Sequence, residues 1–385
     1  MSFTGKATYS GGPGLPEIAE DVSDIISIVS PYETPLLDHL GDPTRAATST
    51  MHEWLEDTLL PNQDKIDDTL ITSPESQESF NVVNGDRFRV GDQIMMKNAE
   101  EIMLVTNITG ETLAVQRNYG GTPTTNLEHD ATLLIIGNAA LEGAGKPETR
   151  FTVRQRLQNY TQIFTAGLEV SGSQLAVNTI GVADELDYQK QERLRELLRD
   201  LENSVINGID PGDDPEGSGT TRRTMRGIRA WIESNIFSPG VDDMPEGDDG
   251  ALNEELLNAA LRAIWEQSSG SIDTIVCGGF QKRKINQFIA SGQRFVEKDA
   301  HYQSMVDVYE SDFGVCRVVM SRWVPQDALL LLDSSRIDIM PLAGRSFHYK
   351  PLASTGDSEC GQIIGEYTME LRNENAHGLI TGLDV

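Results

Sequence analysis

The stretch 159–207 constrains this chain more than any other. Tyr160, Phe164, Ala166, Leu168 and Val170 alternate with Thr161, Thr165, Glu169 and Ser171, the period-two pattern of a half-buried strand. That strand runs directly into Ser171-Gly172-Ser173-Gln174. Two serines around a glycine after a strand have three readings: a nucleophile on a sharp turn, a backbone nest for phosphate, or a helix start. A nucleophile elbow needs Gly-x-Ser-x-Gly, and Glu169-Val170-Ser171-Gly172-Ser173 lacks it. Ser171 with Gln174 fits a capping box, in which the serine oxygen covers the third helical amide. The pattern predicts a short helix that breaks near Gly181, then the longest helix of the chain over 182–207. Leu194, Leu197, Leu198, Leu201 and Val205 form its apolar stripe,. Glu192 with Arg195 and Glu196 with Arg199 lie at helical spacing on its flanks,. Gly208 and Pro211 end it before the acidic loop DPGDDPEGSG.

What precedes this block has a different texture. Residues 1–45 read as an extended arm, broken by Gly11, Gly12, Pro13, Gly14 and Pro16,. One amphipathic stretch over 18–29 carries Ile18, Val22, Ile25, Ile26 and Val29, and Pro31 and Pro35 stop it. The arm has too few apolar residues for a core of its own, so it is expected to lie on something else. Residues 46–80 read as polar loop around Glu53-Trp54-Leu55-Glu56-Asp57. From about 81 to 138 the segments DRFRVGDQIMMK, EIMLVTNI, TLAVQR and TLLIIG are short strand patterns, with turns at Asn84-Gly85, Asn98-Ala99 and Thr109-Gly110,. They predict a compact, barrel-like β-module of about five strands. An oligonucleotide-binding barrel needs aromatics in a basic groove; Phe88, Tyr119, Arg87, Arg89, Lys97 and Arg117 are what this module offers. A structural or docking role is the plainer reading.

After the long helix, residues 221–345 read as a mixed α/β unit. Leu252, Leu256, Leu257, Ala260, Leu261 and Ile264 mark a helix, DTIVCGG a buried strand, FQKRKINQFI a helix, and GVCRVVMSR and ALLLLD further strands. Residues 346–385 return as strands, EYTMELRN and HGLITGL. The fold class is α+β.

Chemistry is hard to find. GAGKPE at 143–148 lacks the first P-loop glycine, since position 140 is Ala, and Pro147 stands where Ser or Thr would hold magnesium,. The histidines His39, His52, His129, His301, His348 and His377 are scattered without metal-ligand spacing,. The acidic loops around Asp213 and Asp248 lack the ligand order of a calcium loop,. QKRK at 281–284 reads as one face of a helix. Cys277, Cys316 and Cys360 are far apart and odd in number, which suits isolated reduced thiols of an intracellular product. The first residues lack a charged start followed by an apolar core, which predicts no signal peptide. No apolar run reaches the roughly 20 residues of a membrane span. No catalytic residue, cofactor or metal is expected. The balance of 31 Lys+Arg against 60 Asp+Glu gives a net charge of −29, which argues against a broad nucleic-acid face,. It suits solubility, or adaptation to high salt.

An arm, an inserted β-module, one long helix and a mixed unit whose chain returns to its start suit a protein that assembles. The arrangement resembles the major capsid proteins of tailed phages. SPYETPLLDHLGDPTRAATSTMHEWLEDTL (30–59) is similar to the start of one capsid subgroup, GETLAVQRNYGGTP (110–123) to the strand and Arg-x-x-Gly-Gly turn of its inserted β-module, and NYTQIFTAGLEVSGSQLAV to its central strand before the spine helix. The resemblance implies an N-terminal arm at 1–45, an extended loop at 46–150 with the β-module at its tip, a peripheral domain at 151–209 plus 346–385, and an axial domain at 210–345. It implies a subunit of an icosahedral head enclosing double-stranded DNA, built as hexamers and pentamers, made in the host cytoplasm. It also implies portal and decoration proteins as partners, proximity to packaged DNA, and no membrane. Trp54, Glu56, Arg117 and Tyr119 are the expected assembly-interface residues. Another phage structural protein, from the tail or a decoration layer, and a soluble α/β hydrolase are the alternatives.

Overall fold

The computed structural model of the chain describes residues 33–43, 45–146, 149–177, 184–241, 244–268, 270–292, 308–353 and 356–385. The amphipathic stretch 18–29 and the rest of the arm before Glu33 lie outside the described residues. The chain divides into two compact units, Met1–Trp54 with Arg156–Val385, and Leu55–Gln155.

The larger unit opens with α1 (Pro35–Leu40), which begins on a proline in its first turn. There the missing amide costs nothing and the fixed φ suits a helix. Pro35, expected to act only as a stop, is thus a start. Leu36 is fully buried in the unit's core and Ala47 bridges Leu342. The expected coreless arm therefore does not run unbroken to residue 45, because Leu36 of α1 is seated in the core. Next, β1 (Met51–Glu56) carries the chain into the smaller unit.

The smaller unit is a six-stranded barrel. Its strands are β2 (Gln63–Lys65), β3 (Ser79–Asn81), β4 (Asp92–Met96), β5 (Ile102–Thr109), β6 (Thr112–Gln116) and β7 (Thr132–Asn138), in the order β2-β7-β4-β5-β6-β3. An antiparallel bridge between Ile66 and Val82 joins the two ends of that order. The Asp67 amide donates to the Asn81 carbonyl at 2.9 Å beside it, and the Val83 amide to the Lys65 carbonyl at 3.1 Å. Ile66, Phe80, Ile94, Met103, Leu113 and Leu133 fill the interior. Irregularities between Gln93 and Ile94 and between Val105 and Asn107 bend the strands, as closure requires. The sequence predicted about five strands starting near 81. The two that escaped it, β2 and β3, have three residues each, too few to show an alternation. Gly85 is dictated by packing: a Cβ there would stand 2.0 Å from the Gly110 carbonyl oxygen.

The chain re-enters the larger unit through β8 (Gln155–Tyr160), which pairs with β1. The alternating strand is β9 (Gln162–Ser171), and α2 (Gly172–Ala176) follows it. Ser171 Oγ accepts the Gln174 amide at 3.3 Å, so the Ser-Gly-Ser stretch is a helix cap. The long helix α3 spans Glu185–Asn207 and is capped by Asp184, which accepts the Asp187 amide at 3.1 Å. It buries Leu197, Leu201, Val205 and Ile206. Then come α4 (Ile228–Trp231), β10 (Ile236–Phe237), α5 (Glu254–Gln267), β11 (Thr274–Cys277) and α6 (Gly279–Gly292). They are followed by β12 (Val308–Ser311), β13 (Gly314–Met320), β14 (Leu329–Leu332), β15 (Ile337–Pro341), β16 (His348–Pro351), β17 (Ser358–Leu371) and β18 (Gly378–Ile380). Two sheets result, β10-β18-β14-β11-β13-β12 and a four-stranded one in which β17 pairs with β9, β15 and β16. The expected division at 345/346 does not follow these sheets. β15 lies before it yet pairs with β17, and β18 lies after it yet pairs with β14 and β10.

One ion pair closes a pole of the barrel. Glu101 is buried, and the Arg117 guanidinium donates to both its oxygens at 2.8 and 2.6 Å. Arg117 also donates to the carbonyls of Pro74 and Gln77, both at 3.1 Å, and of Thr125 at 2.5 Å. Burial alone would raise the Glu101 pKa; Arg117 and the amides of Thr125 and Asn118 outweigh it and hold the carboxyl below its usual range. Removing one partner of such a pair leaves a buried, unmatched charge. Arg117→Met should destabilise the barrel by about 3–5 kcal/mol, measured by denaturant unfolding of the full chain. A loss near the roughly 0.5 kcal/mol of an exposed pair would show that water reaches Glu101.

Candidate functional site

The polar face of β17 joins distant parts of the larger unit. Glu366, Thr368 and Glu370 alternate along it and all three are buried. Glu366 Oε1 accepts from the Thr161 hydroxyl at 2.6 Å and from Arg223 at 2.5 Å, and its Oε2 meets Arg345 at 2.7 Å. The Glu370 carboxylate meets His52 at 2.6 Å, Arg45 at 3.2 Å and Arg372 at 3.5 Å. Arg45 and Arg372 also share Asp338, at 2.5 and 3.1 Å. Burial would raise the Glu370 pKa, but His52 and Arg45 outweigh it and lower it. His52 lies on the strand that leaves for the barrel, and Thr161 directly follows the strand that returns. One strand face therefore fixes both ends of the inserted excursion.

The sequence-selected residues fall in two places. Trp54, on β1, is only 8% exposed and belongs to the core of the larger unit. Its ring lies 5.3 Å from that of Trp231 and 6.0 Å from that of His52. The Arg226 guanidinium covers the Trp231 ring at 4.6 Å. Glu56, two residues on, is half-buried. Arg117 closes the barrel pole, and Tyr119 is half-buried on the turn after it. That turn takes a left-handed Asn118 and positive φ at Gly120 and Gly121, which explains the Arg-x-x-Gly-Gly spacing.

Exposed apolar side chains mark another surface. Within the smaller unit the chain runs to and from the barrel as irregular limbs, described over 57–62, 139–146 and 149–154. Leu59 is 94% exposed, Phe151 85% and Leu141 84%, and Leu55 and Val153 are exposed as well. The limbs are nonetheless placed. Thr152 Oγ1 donates to Asp57 at 2.7 Å. Arg150 donates to the carbonyls of Phe88 at 2.5 Å, Arg87 at 3.3 Å and Asp86 in the barrel turn. Large apolar groups held in water mark a surface awaiting a partner. The sequence reading missed them because isolated apolar residues in a polar loop give no period.

Among the described residues, no three His, Cys, Asp or Glu side chains form a metal-binding group. Burial pushes the Cys277 thiol up to about 12 and the Cys316 thiol up to about 11, so neither supplies a thiolate at neutral pH. A cavity of about 200 Å³ lies between Leu261, Trp265, Ser271, Ile272, Ser311, Phe313 and Cys316, without an acid–base pair among these residues. No described helix is long and apolar enough to cross a membrane.

Comparison with known proteins gives these features a context. A family model described as SU10 major capsid protein matches residues 2–384. Among solved structures, the capsid of a native GTA particle aligns over 99% of this chain and 100% of its own, with a TM-score of 0.56 at 11% identity. The capsid asymmetric unit of cyanophage A-1(L) aligns over 96% of this chain and 98% of its own, with a TM-score of 0.53 at 10% identity. At such identities the likeness is one of fold. No curated protein matches the chain in sequence.

The buried Trp54 separates two roles by one substitution. Trp54→Ala should destabilise the subunit by about 3–5 kcal/mol, the usual cost of emptying an aromatic core site, read by thermal or denaturant unfolding. An unchanged midpoint together with failed assembly would instead place its role at a contact between copies.

Proposed function

We propose, for a chain that belongs to the SU10 major capsid protein family, that its two units divide the work of shell building. The protein is a major capsid protein, the subunit of a phage head. The larger unit supplies the wall. The four-stranded sheet with α3 acts as the peripheral domain, and the six-stranded sheet with α5 and α6 as the axial domain. Residues 46–150 act as the extended loop that reaches a neighbouring copy, and residues before Glu33 act as the arm. Hexamers and pentamers then close an icosahedral head around double-stranded DNA. A portal and decoration proteins are its further partners, and subunits are made in the host cytoplasm. Its role is structural and not catalytic.

The observation that carries this reading is the set of exposed apolar residues on the limbs, Leu59, Leu141, Phe151 and Val153, with Leu55 on β1 just before them. A barrel whose strand order is closed on itself offers little for strand addition, so side chains must make the contact. A second copy is the partner that a shell provides. Trp54 serves that contact indirectly, by fixing β1 at the root of the loop. Glu56, Arg117 and Tyr119 serve it by shaping the loop and the barrel pole.

Paired substitution tests the limbs. Leu59→Ser with Phe151→Ser should leave subunit stability within about 0.5 kcal/mol, as exposed positions do, while particles vanish from electron micrographs. Normal particles from this variant would overturn the assignment. Charge gives a second test. Subunits of net charge −29 repel, and the Debye length falls from about 10 Å at 0.1 M salt to about 3 Å at 1 M. Purified particles should therefore tighten as salt rises and loosen in dilute buffer, followed by light scattering at fixed pH. Dissociation in molar salt would show that ion pairs between copies outweigh the repulsion.

A further inference from the structure

A carboxylate stands in the apolar stripe of α3. Glu202 is fully buried between Leu201 and Val205. Its Oε1 accepts from the Ser321 hydroxyl at 2.9 Å, and its Oε2 from the Leu37 amide at 3.4 Å. The Leu36 amide also acts on it. These amides belong to the first turn of α1, where Thr34 makes no side-chain cap. Such amides have no partner within their own helix, so Glu202 caps α1 from a different helix. The charged neighbour acting on it is Asp38, of like sign. The other ionisable groups nearby are occupied or neutral. His39 of α1 meets the Thr274 hydroxyl at 2.7 Å, and burial, then Arg317, lowers its pKa. Arg322, next to Ser321, pairs with Glu33 at 3.4 Å.

We propose that Glu202 is a proton-operated latch on α1: in its protonated form it holds this helix on α3, and ionisation loosens the hold. Two features of the geometry support it. Leu36 is the fully buried side chain of α1, and Leu37 and Leu40 pack partly buried against the same core, so one full and two partial apolar contacts dock this one-and-a-half-turn helix. The group that completes its hydrogen bonding is a buried acid, and the charged group acting on it is Asp38, of like sign, while Arg322 is paired with Glu33. Burial raises the Glu202 pKa from 4.5 to about 7, against the opposing bonds from Ser321, Leu37 and Leu36. A folded pKa above the solvent value means that the stabilisation is complete below about 4.5 and lost as pH rises through about 7. The window of change therefore runs from about pH 4.5 to just above pH 7,.

The test reads the exposure of α1 directly. Leu36→Cys places a thiol at the buried contact, and its labelling rate in the full-length chain, read by peptide mass, reports opening. The same substitution is made in a Glu202→Gln chain, which keeps the shape and cannot ionise. The ratio of the two rates at each pH cancels the titration of the thiol itself. A shift from 4.5 to about 7 makes this ratio rise about tenfold between pH 6 and pH 8. A ratio that stays flat overturns the latch. Should the cysteine variants not fold, thermal midpoints of the native chain and Glu202→Gln replace them. Their difference should widen in favour of Gln from pH 6 to pH 8, and parallel profiles overturn the proposal.

Discussion

A buried carboxylate has to be met by charge and donors, and Glu366 and Glu370 are met from stretches of chain far apart in sequence. Arg45 and His52 come from before the barrel, Thr161 from after it, Arg223 from beyond α3, and Arg345 from between β15 and β16. The Thr161 hydroxyl and the Arg223, Arg45 and His52 side chains bond their carboxylates in one geometry, because hydrogen bonds weaken steeply with angle,. Removing any of them would leave a neighbour unmatched in a region of low dielectric. The face of β17 therefore acts as a registration device for the larger unit. It need not add net stability, since desolvation cancels much of the Coulomb gain. What it adds is a high cost for every other arrangement of these segments.

The barrel solves a different problem. A hundred-residue excursion from a core would be expected to carry loose edges, and free edges pair with other chains. Joining β2 to β3 through Ile66 and Val82 completes the ring of strands. Both of these strands are short, and polar groups finish what they begin. Asp64 is buried beneath the turn, where it accepts from the Asn84 amide at 2.8 Å and from Arg87 at 3.0 Å. Arg117 does the same at the other ion pair with Glu101. With its backbone groups largely engaged internally, the module offers few free edges to other chains.

How much of this was legible follows from physics more than from length. β9 and the long helix could be read because their periods, two and 3.6, persist over ten residues or more. The cap at Ser171 could be read because it depends on residues three apart. The barrel strands β4 to β7 carried alternation, while β2 and β3 were too short to do so. The buried carboxylates were illegible for a more instructive reason. Alternation in EYTMEL sends Glu366, Thr368 and Glu370 to the solvent side, and that inference assumes the polar face is open. Here Arg45, His52, Arg223 and Arg345 cover it, and no local pattern announces a cover built from distant residues. Glu202 is the same case on a helix, seated where the stripe calls for leucine. Of the chosen site residues, Arg117 and Trp54 stood out by type and proved to be packed, whereas the exposed limb residues stood out by nothing at all.

The distribution of charge ties these observations to assembly. The chain has 31 basic residues against 60 acidic ones. Many of the arginines are engaged inside a unit, as Arg45, Arg87, Arg117, Arg223, Arg336 and Arg345 are with buried or nearly buried carboxylates. Part of the positive charge is thereby matched to buried carboxylates, even where the arginine itself stays partly exposed, as Arg45 and Arg345 do. Two subunits of net charge −29 attract poorly through charge. Attraction between copies must then come from groups that carry none, and Leu59, Leu141, Phe151 and Val153 on the limbs are such groups. Apolar contact strengthens as salt screens the carboxylates around it,. In the proposed shell the acidic surface sets how closely neighbours approach, and the limbs set where they hold.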